Sequence, residues 1–142
     1  MEKRRFRTIQ VLAFAAALAA GAATVSAHHS TTMFDHSKTV TLTGTVVELH
    51  WVNPHVSILV HGTVKDGDTP SDWLLEMTSP GNLVRAGGWS RTAVKPGDKV
   101  VIEMSPLRDP DKQGGALKKL TMVDSGLVLT ANIRAQEQPG LE

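Results

Sequence analysis

Apolar and polar residues alternate in short runs along most of this chain, and clusters of Gly, Pro, Asn and Asp separate the runs. A period of two marks a strand with one buried face. The first run, residues 40–51, is rich in Val, Leu and Thr and is interrupted by Gly44, which predicts a strand with a bulge or sharp coil. After a Val52-Asn53-Pro54 turn, residues 55–64 carry Val56, Ile58 and Val60 at alternate positions. A polar loop over 65–70 leads to a third strand over 73–77. Ser79 then offers a helix cap and Pro80 suits the first helical position, so a short helix is expected over 83–86. Pro96-Gly97 turns the chain into a strand over 99–104, a long loop follows over 106–115, and 116–123 alternates again. Residues 127–130 are a candidate sixth strand.

One helix between the third and fourth of five or six strands is the order of a small antiparallel Greek-key barrel of OB-like shape. The expected fold is therefore mainly β, with an open antiparallel sandwich of the same strands as the alternative. The first hairpin sets a register. A four-residue loop over 51–54 pairs His50 with His55, Leu49 with Val56, Glu48 with Ser57 and Val47 with Ile58. Directly opposite residues share a face, so Leu49, Val56, Val47 and Ile58 are expected inside and Glu48, Ser57, His50 and His55 outside.

The chain start differs in kind. Lys3, Arg4, Arg5 and Arg7 precede an apolar run over 11–23, and Val25-Ser26-Ala27 is a small-x-small cleavage site, the pattern of a secretory signal peptide. The run is shorter than the roughly 20 residues that cross a bilayer, so no membrane span is expected after processing. Arg4-Arg5 raises the folded-export route, while Phe6-Arg7 departs from the twin-arginine pattern, and the route stays open. The expected organisation is a signal peptide over 1–27, a flexible His-containing segment over 28–39, a barrel domain over 40–131 and a polar tail over 132–142. The expected location is the periplasm or the outside of the cell.

Cleavage after Ala27 leaves 115 of the 142 residues, with 11 Lys plus Arg against 13 Asp plus Glu. A mildly acidic product with four aromatic residues, Phe34, Trp51, Trp73 and Trp89, has neither the charge nor the stacking surface for nucleic acid. With no Cys there is no disulfide framework, zinc ribbon or thiol nucleophile. The sequence also lacks a Gly-x-Ser-x-Gly elbow and a phosphate-cradling loop, and Glu48, Glu76 and Glu103 show no spacing of a paired-carboxylate hydrolase, so no catalysis is expected.

All six histidines, His28, His29, His36, His50, His55 and His61, precede the third expected strand. Imidazole suits zinc, copper and nickel. A mature amino terminus at His28 offers an amine and a ring nitrogen to Cu(II), which resembles the histidine brace of exported copper proteins. Cleavage one residue earlier yields Ala27-His28-His29, which resembles the amino-terminal copper and nickel motif. The metal candidates are His28, His29, His50, His55 and Glu48, with copper as the ion. Met33, Met77, Met104 and Met122 are soft donors or, more simply, core filler. Against the metal reading stands a plain one, in which the early histidines lie on a polar segment and His50 and His55 hydrogen-bond across a hairpin. A pocket reading uses Trp51, Asn53, Glu76, Arg85 and Trp89, since pockets combine aromatic walls with a few polar groups. The loop over 106–115 is either a partner-gripping segment or a solvated connection.

The elements His28-His29-Ser30, Phe34-Asp35, Leu42-Thr43-Gly44-Thr45-Val46, Trp51-Val52-Asn53-Pro54-His55, Gly88-Trp89 and Pro96-Gly97-Asp98 resemble the exported bacterial proteins grouped as domain of unknown function 6152. The resemblance implies export and one compact domain, and carries no activity, cofactor or partner. The expected function is a non-catalytic binding domain with copper as its candidate ligand. The alternative is a metal-free module for a small periplasmic ligand or an envelope protein.

Overall fold

The computed structural model describes residues 33–131, apart from the side chains of residues 86 and 87. The expected signal peptide, His28, His29 and the expected polar tail lie outside the described residues.

The alternating runs form β1 (Val40–His50), β2 (Ser57–Thr63), β3 (Ser71–Glu76), β4 (Lys99–Pro106), β5 (Gly114–Met122) and β6 (Val128–Thr130), with helix α1 (Pro80–Gly87) between β3 and β4. The helix begins where its cap demands. Ser79 is extended (φ −64°, ψ 154°), its side chain accepts from the Asn82 amide at 3.4 Å, and Pro80 occupies the first turn, where its missing N–H costs nothing. Gly88 ends the helix at φ 72°. One apolar side chain, Leu83, is fully buried and anchors it.

The strands run β3-β2-β1-β4-β5-β6 across the sheet, and a β3–β5 pairing closes five of them into a barrel, leaving β6 as an extra strand on β5. Four pairings around the barrel are antiparallel, but β3 and β5 are parallel, through Leu74 with Gly114, Leu75 with Gly115 and Glu76 with Ala116. The expected all-antiparallel barrel is therefore a mixed one. Two strands that enter from the same end must pair in parallel when the sheet closes on itself.

Inside lies one apolar core that includes Leu42, Ile58, Leu75, Ile102, Leu117 and Leu120, each fully buried. β1 serves two neighbours, pairing with β4 through residues 40–45 and with β2 through residues 43–50. Where the two ladders overlap, Gly44 faces Gly62. A Cβ on Gly44 would lie 2.9 Å from the Gly62 Cα, so the two backbones approach as only glycines allow.

Two expectations about the first hairpin are corrected. His50 pairs with Ser57 and Leu49 with Ile58, a slip of two residues from the expected register, so His50 and His55 are not cross-strand partners. Val56 belongs with the chain after β3, since its amide donates to the Thr78 carbonyl and its carbonyl accepts from the Met77 amide. The connection is therefore six residues, 51–56, with a cis Asn53–Pro54 peptide. The register also shifts between Val46 and Glu48, so Val47, expected inside, is a bulge residue and 43% exposed. Val56 and Ile58 are buried as expected.

Part of the segment expected to be flexible lies along the barrel. Phe34 is buried and bridges to Leu107, the Asp35 amide donates to the Pro106 carbonyl at 2.8 Å, and the Lys118 ammonium donates to the Lys38 carbonyl at 2.9 Å. Residues 33–39 thus form a strap over the ends of β4 and β5.

Candidate functional site

The outer face of β3 starts the site. Along a strand side chains alternate, so Leu75 points into the core while Leu74 and Glu76 point outward. Leu74 is 47% exposed and offers an apolar side chain on the outer face of the barrel. Beside it runs β5, which opens with Gly114 and Gly115. A Cβ on Gly114 would lie 2.9 Å from both a Leu107 methyl and the Leu74 carbonyl, and one on Gly115 would lie 2.5 Å from the Ser105 carbonyl. These glycines let the 107–113 loop fold back close to the barrel wall.

That loop is held by its own polar groups. The Leu107 amide donates to the Gly114 carbonyl at 3.1 Å, the Asp111 amide donates to the Asp109 carboxylate at 3.1 Å, and Lys112 pairs with Asp109 at 3.4 Å. The strap supplies the remaining wall, fixed by the Arg108 amide donating to the Met33 carbonyl at 2.9 Å. Between these three parts lies a cleft of about 410 Å³, lined by Met33, Phe34, Leu74, Glu76, Leu107, Asp111, Lys112, Gln113 and Gly115. Its size falls within the range of small-ligand pockets, about 300–1,000 Å³.

The strap has its own electrostatic anchor. A hydrogen bond from the Ser37 hydroxyl at 2.5 Å and the Lys38 ammonium at 3.1 Å hold the Asp35 carboxyl well below its usual range, at about 2.

Of the pocket candidates from the sequence, Glu76 lines the cleft and the others do not. Trp89 is 2% exposed, with its indole N–H donating to the Thr130 carbonyl at 3.0 Å, which makes it a core residue that ties α1's end to β6. Trp51 is half-buried against the same core. Asn53 is exposed in the β1–β2 connection. Arg85 is exposed on α1 and donates to the Asn82 side-chain oxygen at 2.5 Å. The expected tryptophans therefore do not line this cleft, whose aromatic side chain is Phe34, because a small barrel fills its interior with its own large side chains.

The metal candidates divide. His28 and His29 lie outside the described residues. Glu48 and His50 share the outer face beyond the bulge and meet at 3.1 Å, while His55 is half-buried in the connection. Ser57 stands between His50 and Glu76 on the three adjacent strands. Met77 and Met104 are buried core residues. Among the described residues, no group of three or more His, Asp or Glu is placed to hold a metal ion. His61 pairs with Asp72 at 2.7 Å across β2 and β3, and Glu103 with Lys119 at 2.5 Å.

Sequence reasoning missed most of the cleft. Its parts come from residues 33–34, 74–76 and 107–115, each unremarkable alone. The outward Leu74 and the Gly114-Gly115 pair at the end of a long loop were the available signals.

Among the described residues, no helix is long and apolar enough to cross a membrane. Comparison with curated proteins and with solved structures returns no match. A family model described as a family of unknown function, DUF6152, matches residues 15–116, well over half of the chain. The chain belongs to the DUF6152 family, whose function is unknown.

Proposed function

We propose that this protein is an exported, non-catalytic binding module whose ligand sits in the cleft between the strap, β3 and the 107–113 loop. One observation carries the reading: a cleft of about 410 Å³ joins four apolar side chains, Met33, Phe34, Leu74 and Leu107, to a rim of charged and amide groups. That combination suits a small ligand with an apolar body. The barrel is read as OB-like, a Greek-key arrangement. The circuit β1-β2-β3-β5-β4 and the helix between β3 and β4 support it. Export is inferred from the basic, apolar and small-residue pattern of the first 27 residues.

The test is a fragment screen read by two-dimensional amide NMR. Binders are expected to shift Leu74, Leu107 and Gly115, and Leu74→Trp, which fills the cleft, is expected to abolish those shifts. Binders that map elsewhere on the barrel, or that bind Leu74→Trp unchanged, refute the seat.

Copper binding through His28, His29, His50, His55 and Glu48 is the second reading. It is favoured by the Glu48–His50 contact, since ligating imidazoles are commonly oriented by a carboxylate. Tight one-to-one Cu(II) binding by the processed protein, weakened by His50→Ala, supports it, and weak binding indifferent to both His50→Ala and an added residue before His28 removes it.

A further inference from the structure

We infer that the cleft takes a small organic cation, a primary amine carried on an apolar body; this rests on the cleft being the ligand seat. The apolar part of the argument is the wall formed by Phe34, Leu74 and Leu107, which has no polar group to offer the middle of a ligand. The charge argument concerns the rim. Glu76 and Asp111 both line the cleft, and among the described residues neither carboxylate has an ion-pair or hydrogen-bond partner for its side chain. Lys112 is the lone cation lining it among the described residues, and its ammonium is drawn to Asp109 at 3.4 Å. An entering ammonium therefore meets two uncommitted carboxylates, whereas an entering carboxylate meets the same two as like charges.

A cleft of about 410 Å³ suits a small ligand. The β3–β5 pairing at Leu74 with Gly114 and Glu76 with Ala116 joins two walls of the cleft, and the strap is pinned beside them through Phe34 to Leu107. A cation that keeps its ammonium at the wet rim and its apolar body against Leu74 and Leu107 satisfies both parts of the lining.

Three probes of one shape and different charge test this: phenethylamine, phenethyl alcohol and hydrocinnamate, titrated into the isotope-labelled protein and followed by amide NMR. Phenethylamine is expected to shift Leu74, Leu107 and Gly115 saturably, with hydrocinnamate without effect. The Glu76→Gln, Asp111→Asn double variant is expected to keep its spectrum elsewhere and bind the amine at least about tenfold more weakly, tenfold being the effect of losing a single charge-assisted contact. Equal binding of the alcohol or the anion, or unchanged amine affinity in the double variant, overturns the cation while leaving the cleft as a seat. No cleft shift with any probe overturns the cation, and fragment hits elsewhere would then overturn the seat as well.

Discussion

Replacing Gly62 with Ala tests the closest backbone approach in the barrel. Gly62 is buried and opposite Gly44, and an added Cβ would run into the Thr43 carbonyl oxygen and lie 2.8 Å from the Gly44 Cα. Those neighbours are backbone atoms of β1, which is hydrogen-bonded to β2 and β4 at the same place, so no side chain can swing aside. Overpacking of this kind costs about 1–3 kcal/mol where side chains can yield, and the upper end applies here. A cost of about 3 kcal/mol corresponds to a fall of about 14 °C in Tm for a domain of roughly a hundred residues. It is also a large share of the roughly 5–15 kcal/mol that holds such a domain folded. Urea unfolding and a thermal scan, both followed by circular dichroism, measure it. Gly81→Ala is the control, because its Cβ meets only the end of the Arg85 side chain at 4.0 Å and sits in a helix, where Ala is favoured by about 0.5–1 kcal/mol. A Gly62→Ala protein within about 1 kcal/mol of the parent would refute the close pairing of Gly44 with Gly62.

Three further outcomes follow from particular side chains. Ser105→Ala is expected to cost nothing and to add up to about 1 kcal/mol in urea unfolding, because the buried Ser105 hydroxyl has no hydrogen-bond partner among the described residues and its desolvation is uncompensated; a clear loss of stability would reveal a partner for it. Trp89→Phe is expected to lose about 2 kcal/mol, from the missing indole bond to Thr130 and the space it leaves, measured by the same unfolding. For Asp35 the folded pKa is depressed from 3.8 to about 2, so its contribution to the strap is full above the higher value and is lost as pH falls through the lower one. Asp35→Asn is expected to flatten the acid limb of a Tm profile between those two values, and parallel profiles for the two proteins would contradict it.

The elements were readable because their signals are local. Ser79 and Pro80 suit the cap and first position of a helix, Pro96-Gly97 turns the chain, and alternation at Val56, Ile58 and Val60 marks a strand face without reference to any partner. The two-residue slip of the first hairpin was not readable, since moving a strand by two keeps every side chain on its own face and leaves the hydrophobic pattern unchanged. The bulge at Val47 was equally silent, because Val is as suited to a strand's inside as to a bulge. Trp89 misled for a similar reason: an aromatic beside Gly88 reads the same in a pocket or a core, and the choice belongs to Thr130, forty-one residues away.

Local chemistry along the chain thus decided where the six strands and the helix of the described residues would begin and end. Only the tertiary structure decided that β3 and β5 meet in parallel, that residues 33–39 cross the ends of β4 and β5, and that Leu74, Glu76, Leu107 and Asp111 face one cleft. The reason is physical. Secondary structure answers to neighbours a few residues apart, whereas closure of a barrel and the walls of a cleft are contacts between segments tens of residues apart, set by how one apolar core packs.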